Sequence, residues 1–173
     1  ITPFRDRYCE KLSTGQKQRT SIARTLVHDP KVVVLDEPTT GLDIMASEFI
    51  LQFIRKMAKE EGKTVIFSTH IVEDVRNLCP KMAILSNGGI ISIGNPKELV
   101  ASIDGKIWTK IIPKKDITIY KKAFHVISTK LVAGETQIRV LSDHKPEEGF
   151  EKISPNLEDF YFTTVFQQET KTA

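Results

Sequence analysis

Residues Lys31–Asp43 read KVVVLDEPTTGLD. Val32, Val33, Val34 and Leu35 form an uninterrupted, mainly β-branched apolar run, which predicts a short strand covered on both faces, as in a parallel sheet. The run stops on two adjacent carboxylates, Asp36 and Glu37. Beyond them, Asp43 is placed to cap a helix. Met45, Phe49, Ile50, Phe53, Ile54 and Met57 recur there at spacings of three and four and predict its buried stripe, with Gly62 as the C′ residue. A second apolar run, in KTVIFSTH, predicts a strand over Thr64–Phe67, then Ser68-Thr69-His70 and a helix from Ile71 to Leu78. Strand, crossover helix and strand make a βαβ unit with parallel strands. Residues just past the carboxyl ends of parallel strands share one edge of the sheet, so Asp36, Glu37 and His70 are expected to converge. Attack of water on a phosphoryl group needs a metal near the phosphates and a residue that orients the water, roles that Asp and Glu fill.

Upstream, LSTGQKQ (Leu12–Gln18) opens a helix that should run to about Val27, with Ile22, Ala23 and Leu26 as its buried stripe and Asp29-Pro30 as its stop. Ser13 and Gln16 have the spacing of a capping box. A cap does not account for Gly15, because glycine weakens a helix.

Downstream, MAILSNGGIISIG predicts two strands around the Asn87-Gly88-Gly89 turn, and Asn95-Pro96-Lys97-Glu98 opens a helix. The pattern changes near Ile103. FHVISTKLV and TQIRVLSD then predict two strands flanking Ala133-Gly134-Glu135, and a last helix starts near Ser154-Pro155.

The 173 residues suit one globular domain with a small appendage. The 25 basic and 22 acidic side chains give a net charge of +3 and are mixed along the chain, so no basic stripe argues for nucleic acid. Cys9 and Cys79 lie in no CxxC pattern, and are expected to be reduced cytosolic thiols outside any metal site. No apolar run approaches the roughly 20 residues that span a bilayer. No signal peptide precedes Ile1, and the absence of an initiating Met leads us to expect a piece of something longer.

LSTGQKQRTSIARTLVHDPKVVVLDEPTTGLD, followed by STH, closely resembles the later half of the ATP-binding subunit of ABC transporters, from about Tyr8 to Val100. The resemblance implies an α/β fold, a partial P-loop NTPase parallel sheet with flanking helices. Residues 1–103 would be the C-terminal part of the ATPase domain and residues 104–173 a small accessory α+β element. It makes Leu12–Gln16 the signature motif, so that Ser13, Thr14, Gly15 and Gln16 face ATP held mainly by the opposite subunit. Asp36 becomes the Walker B magnesium-site aspartate and Glu37 the residue polarising the attacking water. Gly41-Leu42-Asp43 becomes the dimer-contacting D-loop, and His70 the switch histidine reaching toward the γ-phosphate. Gly15 also gains a purpose, since a helix N-terminus receives phosphate and glycine permits close approach. The family has Gly where this chain has Thr14; a threonine fits there if the position is helical.

The implied cofactors are ATP and Mg2+, bound by the complete dimeric subunit. The implied partners are a second ATP-binding subunit, in a homodimer, and a transmembrane permease, with no nucleic acid. The expected location is cytoplasmic, peripheral on the cytoplasmic face of a membrane. SPNLEDFYF resembles the tail of ATPase subunits from ion, drug or polysaccharide exporters, which leans toward export. There Leu157, Phe160, Tyr161 and Val165 would form the buried stripe and Trp108 would be a core residue.

The phosphate loop G-x-x-x-x-G-K-[ST] has no match in the chain; Gly62-Lys63-Thr64 has Met57 at the first-glycine position and lies between helix and strand. The chain alone is therefore expected neither to bind ATP tightly nor to hydrolyse it. By resemblance the phosphate-loop strand belongs between the VIFS and KMAIL strands, so the sheet lacks a central member, and the chain is expected to compensate by rearrangement, by pairing with a second copy, or by exposing a strand edge that another chain covers. Two other readings share these motifs: the late lobe of a coiled-coil DNA-maintenance ATPase, which predicts heptads before Leu12, and a translation-associated ABC protein, which requires tandem cassettes. The hairpin and GNPKELV after His70 favour the transporter.

Overall fold

The computed structural model describes residues 12–172, and the chain divides at Leu78/Cys79 into two compact units. Tyr8 and Cys9 lie outside the described residues.

The first unit contains α1 (Thr14–Thr25), β1 (Val32–Leu35), α2 (Ile44–Lys59), β2 (Thr64–Phe67) and α3 (Val72–Leu78). β1 and β2 pair in parallel, in the register Val32↔Thr64 to Leu35↔Phe67. Their amino ends are tied by the Lys63 ammonium, which bonds the Asp29 carboxylate and the Pro30 carbonyl. The core is Ile22 from α1, Val33 and Leu35 from β1, and Ile50, Ile54 and Met57 from α2. Each such buried aliphatic side chain contributes on the order of 1.5–3 kcal/mol.

Three expectations are corrected here. β1 is covered on one face only: Val33 and Leu35 are buried, but Val32 and Val34 are 54% and 68% exposed. The core side chains of α1 and α2 gather against Val33 and Leu35, and among the described residues nothing covers the alternate positions. A two-stranded ladder is also too narrow for the whole predicted stripe of α2. Ile50, Ile54 and Met57 are buried and Phe53 packs beside them, whereas Met45 and Phe49 stay exposed. The Phe49 ring instead receives the Arg19 guanidinium, 5.4 Å from its centroid. Finally, Glu60 is the C-cap of α2, so Gly62, at φ +63°, stands one position beyond C′.

The second unit begins with a hairpin of β3 (Met82–Ser86) and β4 (Gly89–Gly94), turned by Asn87 and Gly88 at φ +49° and +77°. Both central residues lie in the left-handed region, as a type I′ turn requires. β1–β2 and β3–β4 are separate two-stranded sheets. α4 (Pro96–Ala101) is capped by Asn95, which accepts the Lys97 N–H at 2.9 Å.

A four-stranded antiparallel sheet follows, in the order β6-β7-β5-β8. It comprises β5 (Ile107–Ile112), β6 (Val126–Val132), β7 (Glu135–Leu141) and β8 (Glu151–Lys152), with α5 (Ile117–Ala123) between β5 and β6. β5, α5 and β8 are additions to the sequence reading. Ile112, Ile138, Val140 and Phe150 form the core, with Trp108 packed against it and donating from Nε1 to the Ser142 carbonyl at 3.0 Å.

The last helix, α6 (Leu157–Thr172), buries Leu157, Phe160, Asp159 and Thr163, while Tyr161 is 38% exposed, contrary to the predicted stripe. α6 packs on β4, α4 and β6. The hairpin and α4 therefore belong to the same compact unit as the tail.

Candidate functional site

Beyond Leu35 and Phe67 the parallel ladder continues by one bond, Ser68 N–H to the Leu35 carbonyl at 3.0 Å, and then the strands part. Glu37 turns the chain with φ +45°, a left-handed conformation that side-chain-bearing residues rarely adopt. The turn is held from several sides. The Thr40 N–H reaches the Glu37 carbonyl at 3.2 Å. The Glu37 N–H donates to Ser68 Oγ at 3.0 Å, and Ser68 Oγ donates to Asp36 Oδ1 at 2.5 Å. Below the turn, buried Thr39 donates its hydroxyl to buried Asp74 of α3 at 2.8 Å, which fixes the turn to the helix that follows His70.

The Glu37 carboxylate is 35% exposed and accepts two groups from its own chain. Thr40 Oγ1 donates to Oε2 at 2.7 Å, and His70 Nδ1 lies 2.9 Å from both carboxylate oxygens. The Thr40 hydroxyl, and after it the His70 imidazole, hold the Glu37 carboxyl below the ordinary glutamate value. An ionised carboxylate only accepts, so Nδ1 carries the proton and Nε2 of the 69% exposed ring faces outward. Asp36 and Glu37 converge with His70 at the strand ends, as expected. Thr40, Ser68 and the Thr39–Asp74 pair complete the cluster.

The second group of expected residues surrounds the start of α1. Ser13 is the N-cap: its Oγ accepts the Gln16 N–H at 3.3 Å, and Gln16 Oε1 accepts the Ser13 N–H at 3.0 Å, closing the capping box. Thr14 is the first helical residue and has no positive φ, so the threonine fits its position. Asp43 caps α2 by accepting the Ala46 N–H at 2.8 Å. The two helix starts lie side by side. A Cβ added to Gly15 would stand 3.4 Å from the Ala46 Cβ and 3.8 Å from Leu42 Cδ2. Both are ordinary van der Waals distances, so the packing of α1 beside the start of α2 does not itself require glycine at position 15. The side-chain hydrogen bonds of Ser13 and Gln16 stay within α1, and those of Asp36, Glu37 and His70 stay within the strand-end cluster. These are two separate clusters.

With an acidic pair and an imidazole converging at the ends of the parallel strands and a capping box opening the helix that precedes them, the fold is that of an ABC-type ATPase cassette. The comparisons agree: residues 1–40 match the ABC transporter family model, and the chain is similar in sequence to ATP-binding proteins of transporters. It is 36% identical over 167 residues to the Nod factor export ATP-binding protein I of Rhizobium meliloti, a match covering 87% of this chain and 47% of the relative. It is 42% identical over 99 residues to the methionine import ATP-binding protein MetN of Bordetella pertussis, covering 57% of this chain and 27% of the relative. Among solved structures, cbiO1 from Clostridium perfringens, part of the ABC transporter complex cbiONQ, matches with a TM-score of 0.51 at 42% identity. That match covers 58% of this chain and 40% of cbiO1. A dimeric bacterial ABC transporter cassette matches with a TM-score of 0.52 at 33% identity, covering 55% and 40% of the two chains. The chain spans about half the length, or less, of the curated relatives it matches.

Proposed function

We propose that this chain supplies the signature, Walker B, D-loop and switch-histidine part of an ATP-binding subunit that couples ATP hydrolysis to export across a membrane. The observation that carries the reading is the Asp36–Glu37–His70 cluster. One carboxylate is held by an imidazole and a threonine hydroxyl, and its neighbour presents a carboxylate oxygen beside it. Glu37 orients and polarises the attacking water. His70, through Nε2, reaches toward the γ-phosphate, and Ser13, Thr14, Gly15, Gln16 and Asp43 complete an ATP site across a dimer interface. The separation of the two clusters supports that division of labour, as does the dimeric state of one of the similar cassettes.

The donor set fits Mg2+. Asp36 and Glu37 offer hard oxygens, and among the described residues no group of three or more His, Cys, Asp or Glu could hold a metal alone. Mg2+ typically takes one or two carboxylates together with phosphate oxygens and water. Asp36 would hold it, and the bound ion supplies charge neutralisation on the phosphates.

The partners follow from the same reading: a second ATP-binding subunit in a homodimer and a transmembrane permease, with this subunit at the cytoplasmic face. Among the described residues no helix is long and apolar enough to cross a membrane. Export is favoured because the match to the Nod factor exporter covers 87% of this chain, whereas the match to the methionine importer covers 57%. Both are transporter subunits, which favours this reading over a DNA-maintenance ATPase.

The test is Mg2+-dependent ATP turnover. The 173-residue chain should show none above background, because its sequence contains no phosphate loop. Joined to a segment that supplies one, it should turn over ATP and lose about 100-fold or more on Glu37→Gln, the range of a lost general base. Turnover by the chain alone would overturn the first expectation. Turnover indifferent to Glu37→Gln would overturn the assignment of Glu37.

A further inference from the structure

We infer that Ser68 is the positioning residue of the strand-end cluster, setting both Asp36 and Glu37 through one hydroxyl. The inference rests on the reading of those two carboxylates as the hydrolytic pair, but its geometry stands by itself. A hydroxyl has one proton to give and two lone pairs to offer. Ser68 gives its proton to Asp36 Oδ1 and accepts the Glu37 N–H on a lone pair at 3.0 Å.

The acceptor bond meets a specific need. Glu37 sits at φ +45°, where a residue with a Cβ is strained, and the bond from its amide to Ser68 fixes the Asp36–Glu37 peptide plane at that turn. Were φ to relax, the Glu37 side chain would swing away from His70 Nδ1 and Thr40 Oγ1. The donor bond fixes the rotation of the Asp36 carboxylate and leaves Oδ2 available to an outside partner. Ser68 can do both because its backbone is anchored one rung past the ladder, N–H to the Leu35 carbonyl at 3.0 Å. Alanine keeps that rung and loses both side-chain bonds. Threonine keeps all three, and the exposed position has room for its methyl group.

The experiment is amide hydrogen exchange and imidazole nitrogen NMR on the 173-residue chain, comparing the parent with Ser68→Ala and Ser68→Thr. In Ser68→Ala the Glu37 amide should exchange about tenfold faster, the factor expected for one lost hydrogen bond. The Val33 and Leu35 amides should keep their rates. The His70 Nδ1 resonance should move toward that of a free imidazole as the Glu37 contact loosens. Ser68→Thr should restore both signals. The inference is overturned if Ser68→Ala leaves the Glu37 amide and the His70 resonance unchanged. It is equally overturned if every amide of β1 and β2 loses protection together, which would make Ser68 an ordinary fold residue, or if Ser68→Thr behaves like alanine. The hydrolysis reading is decided separately, by the Glu37→Gln comparison.

Discussion

Asp159 is the carboxylate from which the first turn of α6 hangs, and removing it should unfold the second unit far more readily. Its side chain is 2% exposed. Oδ2 accepts Arg139 Nη1 at 2.6 Å and the Asn156 N–H at 2.9 Å, while Asn156 Oδ1 accepts the Asp159 N–H at 2.9 Å. The SPNLED stretch of the tail is thus a reciprocal cap clamped to β7 by an ion pair. Asp159→Asn preserves shape and leaves an oxygen for Asn156, but removes the charge that neutralises Arg139. Breaking a buried pair from one side costs about 3–5 kcal/mol. The Arg139 side chain keeps 22% exposure, which places the loss near the lower end, about 3 kcal/mol. Asp159→Ala also loses the cap bond, worth about 1 kcal/mol, for a total near 4 kcal/mol. Set against the 5–15 kcal/mol typical of a whole domain, that is a large share. Trp108 is the only tryptophan and belongs to the same unit, so urea unfolding followed by its fluorescence reads the effect directly. Arg139→Met in the Asp159→Asn background should recover most of the loss, because it removes the orphaned charge. A cost below about 1 kcal/mol for Asp159→Asn would refute the argument, showing that the pair behaves as a screened surface contact.

Gly15→Ala should change stability by less than about 1 kcal/mol, since its Cβ would make only van der Waals contact with Ala46 and alanine favours the helix. Gly41→Ala, at φ +73°, should cost about 1–2 kcal/mol; denaturation followed by far-UV circular dichroism separates the two, and equal losses would contradict the assignment. In the second unit, Lys110 and Tyr120 hold Glu147 below its ordinary value of 4.5, and Glu147 and Tyr120 raise Lys110 above 10.5. Stability from this cluster should therefore fall as pH drops below about 4.5 and as it rises beyond 10.5, and Lys110→Met should flatten both limbs of the Trp108 unfolding midpoint. His125 has its Nε2 buried without a partner, and burial holds its pKa below 6.5. Stability should decline as pH falls through 6.5 toward the folded value, and a His125→Phe variant that kept the same slope would count against it.

Much of the local geometry around the candidate site was legible because its signals are local. The capping box at Ser13–Gln16, the cap at Asp43 and the Asn87-Gly88 turn each depend on a few neighbouring residues, and each took the form the sequence predicts. The convergence of Asp36, Glu37 and His70 needed one further rule, that parallel strands deliver their ends to one edge. Partnership across long separations left no such mark. Ser68 reads as one more polar residue after a strand, and its bonds to Asp36 and Glu37 appear only once β1 and β2 are in register. Thr39 meets Asp74, and Arg139 meets Asp159, for the same reason. The apolar run of β1 gave the wrong number of covered faces, because periodicity reports which residues can be buried and not how many layers are present to bury them. β5 went unread because IWTKII carries a tryptophan, a lysine and two adjacent isoleucines that blur a period of two, although Ile107, Thr109 and Ile112 turn inward.

The bare face of β1–β2 has a consequence for how the protein behaves in solution. Val32, Val34 and Ile66, each more than half exposed, stand on two short strands that contain no charge of their own. Uncharged apolar strands of this kind are adhesive, and flanking charges act as gatekeepers against edge-to-edge growth. Here the gatekeepers are Lys31 and Lys63 at one end and Asp36 and Glu37 at the other. The carboxylates proposed for chemistry therefore also flank the exposed apolar face. Neutralising both at once would confound a loss of turnover with a loss of soluble protein, and the single Glu37→Gln exchange, with Asp36 still in place, keeps the two effects apart.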